Sequence, residues 1–178
     1  MDRMALDFRR ADTADTVTAQ DAYRRILKYL AENVDFPHWH TENRPTPEEV
    51  RDWIGAGELY LATTCEGIAG VVVLNHEAPD AYQTAEWSVN AADDEVLVVH
   101  KLGVVPDHLG QGVARHLVHS AVEEARAQGC RALRLDTYVE NTPARGLYRR
   151  YGFTDLGEHV LHYEGTDLNR FHLFELVI

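Results

Sequence analysis

The chain has 178 residues, 45% of them hydrophobic and 26% charged, and 17 Lys plus Arg stand against 29 Asp plus Glu for a formal net charge of −12. That length and apolar content suit one compact domain, expected over residues 1–178, and exclude disorder as a description of the whole chain. The acidic balance argues against partners that are bound through an excess of Lys and Arg, so neither nucleic acid nor an anionic membrane surface is expected.

Asp2, Asp7 and Asp12 interrupt the N-terminal stretch, which leaves no uninterrupted apolar core for a signal peptide. No later run approaches the roughly 18 apolar residues of a membrane span, so a cytoplasmic protein is expected. Cys65 and Cys130 form no C-x-x-C pair and are read as reduced packing residues.

In chain order, a short strand over 6–9 precedes the cap candidates Asp12 and Asp15, and Ala22, Ile26, Leu27 and Leu30 then recur at helical spacing. Residues 33–47 hold three prolines and no periodicity, which reads as a loop. Thr46, Pro47, Glu48 and Glu49 form an N-cap, a first-position proline and an acidic first turn for a short helix carrying Val50, Trp53 and Ile54. The apolar runs 59–64 and 68–74 flank a Cys65-Glu66-Gly67 turn as an antiparallel hairpin. Residues 77–94 are polar and read as an irregular connection. The Val-rich and Leu-rich run 96–105 reads as a strand buried on both faces, stopped by Pro106.

Ala114, Leu117, Val118, Ala121, Val122 and Ala125 form one stripe of a helix over 112–128, with Gly129 as its C-cap. A strand over 132–139, a helix capped by Thr142-Pro143 and ended by Gly152, and strands from Phe153 and over 171–178 complete the chain. The apolar final strand is expected either to pair with a second copy, as a homodimer, or to cover the sheet. This order defines an α+β or mixed α/β domain around a central sheet.

The segment between the buried strand and the clearest helix is Asp107-His108-Leu109-Gly110-Gln111-Gly112-Val113-Ala114-Arg115. Two glycines at a strand-to-helix junction let backbone approach a ligand, and the N–H groups at a helix start favour phosphate. The same pattern also serves as a tight turn whose glycines answer only a steric need. A P-loop would need G-x-x-x-x-G-K-[ST], and a dinucleotide fold would need a third glycine where Arg115 stands; neither fits.

Residues 96–153 resemble the GCN5-related N-acetyltransferase (GNAT) family. Leu102-Gly103-Val104-Val105-Pro106 is similar to the end of the family's fourth strand, where a β-bulge turns backbone N–H groups toward the thioester and pantetheine arm. Residues 109–114 occupy the family's Q/R-x-x-G-x-G/A pyrophosphate loop, with Gly112 and Ala114 matching and Leu109 in place of the usual Gln or Arg. The run from Asn141 through Ala144, Leu147, Tyr148 and Gly152 to Phe153 matches N-x-x-A-x-x-L-Y-x-x-x-G-F in register. The resemblance implies a mostly antiparallel sheet of about seven strands flanked by helices, and acetyl-CoA as cosubstrate. It implies CoA contacts from Leu102, Gly103, Val104, Leu109, Gly110, Gln111, Gly112, Val113, Ala114, Arg115 and Asn141, Asn141 serving equally as a helix cap.

An amine of lysine type, with pKa about 10.4, is protonated at neutral pH and needs a base before it can attack a thioester. By resemblance Asp136 is one candidate, on the fifth strand where some family members carry a carboxylate near the acceptor amine. His100, on the fourth strand with a suitable intrinsic pKa, is the other, with a water relay through Glu86 or Glu95 as the alternative. The oxyanion is assigned to backbone N–H groups near Gly103 and Val104. By resemblance Tyr148 is the acid that protonates the departing sulfur, its competing reading being a core aromatic. The pairs His38 with His40, His116 with His119 and His159 with His162 lack the ligands that would complete a metal site, so none is expected. Trp39, Trp53, Trp87 and Tyr82 are read as packing residues or as walls of the acceptor pocket. The expected activity is N-acetylation of a small-molecule or peptide amine. A silent CoA-binding regulatory or sensory module is the alternative, and transfer to oxygen or of longer acyl groups is a third reading.

Overall fold

The computed structural model describes residues 5–178. In order they form strand β1 (Asp7–Arg10), helices α1 (Thr16–Glu32), α2 (Trp39–Glu42) and α3 (Pro47–Gly55), strands β2 (Leu59–Thr64) and β3 (Gly67–Asn75), and the one-turn helix α4 (Ala81–Thr84). Strand β4 (Val96–Val104), helix α5 (Val113–Ala127), strand β5 (Ala132–Tyr138), helix α6 (Thr142–Tyr151) and strands β6 (Thr154–Val160) and β7 (Arg170–Val177) follow. Hydrogen-bonded neighbours give one seven-stranded sheet of order β1-β2-β3-β4-β5-β7-β6. The β4–β5 pair is parallel, whereas β1–β2, β2–β3, β5–β7 and β6–β7 are antiparallel. The architecture is therefore the mixed α/β arrangement that the sequence pattern predicts, with the mostly antiparallel seven-stranded sheet that the resemblance implies.

The chain folds into two compact units. One holds the described residues through Asp35 with Trp39–Leu74 and His100–Ser120; the other holds Phe36–His38, Asn75–Val99 and Ala121–Ile178. In the first unit, α1 places Ala19, Ala22, Tyr23 and Ile26 on one stripe, as a 3.6-residue period requires. That stripe joins Val50 and Ile54 of α3, Leu59 and Leu61 of β2, and Val71 and Val73 of β3 in one core. The start of α3 is fixed by the local chemistry its sequence announces. Glu49 N–H donates to Thr46 Oγ1 at 3.2 Å and Thr46 N–H donates to Glu49 Oε1 at 3.3 Å, with Pro47 at the first position. Such a cap stabilises a helix by about 1 kcal/mol.

In the second unit Tyr82, Val96, Val98, Leu161, Phe171 and Leu173 form a core, with Trp87, Tyr138 and Tyr163 packed on it. Strand alternation sends Leu133 and Leu135 to one face of β5 and Arg134, Asp136 and Tyr138 to the other. Arg134 and Glu175, both buried, face each other across β5 and β7, and Arg134 Nε donates to Glu175 Oε2 at 3.0 Å. Their remaining demands are met by backbone, since Arg134 Nη2 donates to Val89 O and Ser88 N–H donates to Glu175 Oε1. A buried ion pair persists only with such further hydrogen bonds.

Three expectations change. Strand β7 lies inside the sheet, paired with β5 on one side and β6 on the other, so it offers no free edge to a second copy. Cys130 is buried as expected, but Cys65 is exposed at the hairpin turn and is not a packing residue. The stretches read as irregular contain the short helices α2 and α4, whose single turns are too brief to show a period. No helix among the described residues is long and apolar enough to cross a membrane.

Candidate functional site

The first unit carries its candidate residues on backbone. The β4–β5 ladder runs from Val96 opposite Ala132 to Val99 opposite Leu135, and β4 continues beyond it. At Lys101 the chain turns into the left-handed region, with φ 47°, a conformation uncommon for a residue with a Cβ. Breaks of this kind accompany β-bulges, and this one lies one residue before the segment 102–106 on which the sequence resemblance places a bulge. The kink is held from below. Tyr23, buried on α1, donates its hydroxyl proton to Lys101 O at 2.8 Å, while the Lys101 ammonium lies 5.1 Å from the Trp39 ring centre. A Cβ on Gly103 would come within 2.9 Å of Ile26 Cδ1 and 3.2 Å of Trp39 Cζ3, so this position admits only glycine without movement. Leu102 and Val104 flank it, half-buried.

After Pro106–His108 the loop runs through Leu109, Gly110, Gln111 and Gly112 into α5. Gly110 and Gly112 have φ of 74° and 81°, and a Cβ on either would meet nothing within 4 Å. Conformation, not crowding, therefore selects glycine here, and the loop faces open space. Gly112 O accepts the His116 N–H at 3.0 Å, which makes Gly112 the residue that opens the helix. The N–H groups of Val113, Ala114 and Arg115 are then the first of the helix, which have no acceptor within it. Val113 is buried, and with Leu117 it sits where a Cβ on Gly70 would be, at 2.8 Å, so a glycine in β3 lets the helix start lie close to the sheet. The Gln111 side chain is turned back on the preceding turn, its Oε1 3.2 Å from His108 Nδ1, and Arg25 Nη2 donates to Asp107 Oδ2 at 2.7 Å. Leu109 is 44% exposed and Arg115 is exposed.

The second unit carries its candidates on side chains. Asp136 Oδ2 accepts two phenol protons, from Tyr82 at 2.7 Å and from Tyr163 at 2.6 Å. Burial first, and then the charge of Asp136, pushes both phenols well above the ordinary tyrosine range, so both remain donors. Tyr148 on α6 is 5% exposed, its ring 5.4 Å from Phe153 and 5.6 Å from Phe174. Burial, and secondarily Asp136, pushes its hydroxyl up as well. Tyr148 is thus a core aromatic and also a phenol that keeps its proton at neutral pH. Asn141 Oδ1 accepts the Ala144 N–H at 3.4 Å, so the cap role is real. Near Asn141, His38 Nε2 and Glu140 Oε2 are 2.6 Å apart and the His38 ring meets the edge of Tyr138 at 4.5 Å.

Asp136 belongs to the second unit and His100 to the first, half-buried beside Lys101. Of the relay candidates, Glu95 Oε1 accepts the Ala92 N–H at 3.0 Å, whereas Glu86 lines a cavity of about 420 Å³ with His76, Tyr82, Trp87 and Arg134. Trp39 and Trp53 pack around Tyr23, at 6.2 and 6.1 Å. Among the described residues no cluster of three or more His, Cys, Asp or Glu is placed to hold a metal. Sequence reasoning missed Tyr163 entirely and noticed Tyr82 only as an aromatic. The one available signal was the period of two that puts Asp136 and Tyr138 on one face of a strand.

The seven-strand order and the glycine-opened helix start agree with the fold that the sequence resemblance implies. The model of the acetyltransferase (GNAT) family matches residues 23–153. A mycothiol acetyltransferase of Cellulomonas flavigena is 29% identical over 152 residues, covering 80% of this chain and 40% of that protein. A GNAT-family acetyltransferase from Streptococcus agalactiae superposes with a TM-score of 0.80 at 14% identity, covering 97% of this chain and 95% of the other. An Arabidopsis thaliana protein in complex with acetyl-CoA superposes with a TM-score of 0.71 at 20% identity, covering 98% and 99%. The chain spans less than half the length of the curated relatives it matches. The chain belongs to the acetyltransferase (GNAT) family.

Proposed function

We propose that residues 1–178 form one catalytic domain of an acetyl-CoA-dependent N-acetyltransferase, which transfers acetyl to a primary amine by direct attack on the thioester. The observation that carries this reading is the pair of left-handed, unobstructed glycines Gly110 and Gly112 ahead of α5 in a chain of this family. Acetyl-CoA supplies the activated acetyl group and a pyrophosphate. The loop 109–114 suits the pyrophosphate, because backbone N–H groups at a helix start bind phosphate without local positive charge. Leu109 costs one side-chain contact and leaves the main-chain donors in place. Arg115 adds a cation on the first turn of the helix. The acetyl-CoA named in the Arabidopsis thaliana complex agrees with the assignment.

The kinked segment from Lys101 through Leu102 and Gly103 to Val104 supplies N–H groups to the acetyl carbonyl, the role that electrostatic preorganisation favours. Asn141 contributes to CoA binding through its side chain while capping α6. Tyr148 holds a proton at Oη for the departing sulfur, and Asp136 takes one from the amine, with His100 as the other candidate for that step. The net charge of −12 favours approach of cationic acceptors, an advantage that added salt weakens.

The test is thiol release from acetyl-CoA with a panel of a polyamine, an amino acid, an aminoglycoside, a peptide with a free N-terminus and a lysine peptide. Acceptor-dependent release supports the reading, with cationic members favoured at low ionic strength. Intact acetyl-CoA binding with no release for any amine would instead identify a CoA-binding regulatory module.

A further inference from the structure

We propose that Tyr82 and Tyr163 are positioning residues that clamp the Asp136 carboxylate in the orientation from which it accepts the proton of the acceptor amine. The inference rests on the reading of Asp136 as the base and goes beyond it by naming what aims that base.

Both phenols donate to the same oxygen, Oδ2, at 2.7 and 2.6 Å. A buried phenol needs an acceptor, and any carbonyl would satisfy it. Two donors from separate parts of the chain on one carboxylate oxygen do more, since they fix both the place of the group and its rotation about the last side-chain bond. Each donor is itself held. The Tyr82 ring lies 5.2 Å from Trp87, whose Nε1 donates to Tyr82 O at 2.7 Å, and the Arg134 guanidinium sits 4.3 Å from the Trp87 ring centre. Arg134 is locked in turn by Glu175. Tyr163 lies 5.6 Å from Phe171, which meets Tyr138 at 5.7 Å. Asp136 stands in the β5–β7 ladder opposite Leu173. The one-turn helix α4, the β6–β7 connection and strand β5 thus converge on one carboxylate.

Within the same unit, Arg134 acts on Tyr82, the Asp136 charge acts on Tyr82, Tyr163 and Tyr148, and His76 and Glu86 line the cavity beside Tyr82. Because both phenols keep their protons through the working range, the clamp does not come apart on titration. Each proton donated to Oδ2 favours the carboxylate over the carboxylic acid. Losing one donor makes the carboxyl easier to protonate, and the acid limb of kcat/KM moves to higher pH.

The experiment compares Tyr82→Phe, Tyr163→Phe, the double variant and Asp136→Asn with the wild type, using acetyl-CoA and the best amine of the panel. Acetyl-CoA affinity, measured by titration calorimetry, is expected to be unchanged in all four, which also shows that they fold. Asp136→Asn is expected to lower kcat by about 100-fold or more, the range of a lost general base. Each phenylalanine variant is expected to lower kcat by about 3- to 10-fold and to move the acid limb up by roughly half a pH unit or more, the double variant exceeding either. Loss of turnover in Asp136→Asn with an unmoved acid limb in the phenylalanine variants would overturn the clamp and leave the base in place. Full turnover in Asp136→Asn would overturn both base and clamp while leaving the acetyltransferase standing. No thiol release by the wild type with any amine would overturn the catalytic reading and the clamp's role with it.

Discussion

The backbone from Lys101 to Ala114 and the side chains around Asp136 are held in place by different materials. In the first, the geometry rests on φ values that only glycine adopts cheaply, 74° at Gly110 and 81° at Gly112, and on one left-handed lysine held by Tyr23. In the second, it rests on side chains separated by 54 and 27 positions from the carboxylate they meet. Backbone sites tolerate side-chain change because every residue carries the same donors. Side-chain sites fail with one atom, because a single hydroxyl or carboxylate carries the role.

The contrast breaks first at Tyr148. Tyr148→Phe is expected to cut turnover by about 100-fold while leaving the acetyl-CoA dissociation constant unchanged. Burial, with Asp136 secondary, raises the Tyr148 phenol, so its proton is present throughout the assay range. The loss should therefore be the same at pH 6 and pH 9, read from parallel rate profiles. Unchanged turnover would remove the acid role and leave Tyr148 as a core residue packed on Phe153 and Phe174.

Backbone motifs are legible in sequence because their residues are neighbours. The glycines of the loop and the Gly152 end of α6 each declare a dihedral angle that few residues adopt, the Pro47 start of α3 declares a φ already fixed at the helical value, and each lies where the sequence places it. The Tyr82, Asp136 and Tyr163 cluster has no such local mark. It exists only because β7 enters between β5 and β6, which moves the β6–β7 connection beside β5. An apolar final strand looks the same in sequence whether it closes an edge or fills an interior gap. For the same reason Asp136 was legible as a candidate base but its two donors were not. The left-handed angle at Lys101 also escaped the sequence, since lysine carries no preference for it.

Two glycine variants sharpen the first half of the comparison, since they separate crowding from conformation. Gly103→Ala places a Cβ within 2.9 Å of Ile26 Cδ1, so overpacking of about 1 to 3 kcal/mol is expected as a lower thermal midpoint. Gly112→Ala meets no atom within 4 Å but must hold φ 81°, at a cost of about 1 to 2 kcal/mol. That loop is exposed and is expected to relax out of the left-handed region, so acetyl-CoA affinity falls by about tenfold while the thermal midpoint moves little. Equal effects of both variants on stability would show that the loop is as tightly built as the strand.

The smallest expected effect is also the most discriminating. Leu109 stands where the sequence resemblance expects Gln or Arg, and its side chain is 44% exposed. If the loop binds through main-chain donors, Leu109→Gln adds one exposed hydrogen bond, and exposed polar contacts contribute about 0.5 to 1.5 kcal/mol. Acetyl-CoA affinity should then rise by about 2- to 10-fold, with kcat and thermal midpoint unchanged. A gain near 100-fold would mean that one side chain dominates the phosphate contact after all. The loop would then behave like the Asp136 cluster, and the division between a backbone site and a side-chain site would not hold for this protein.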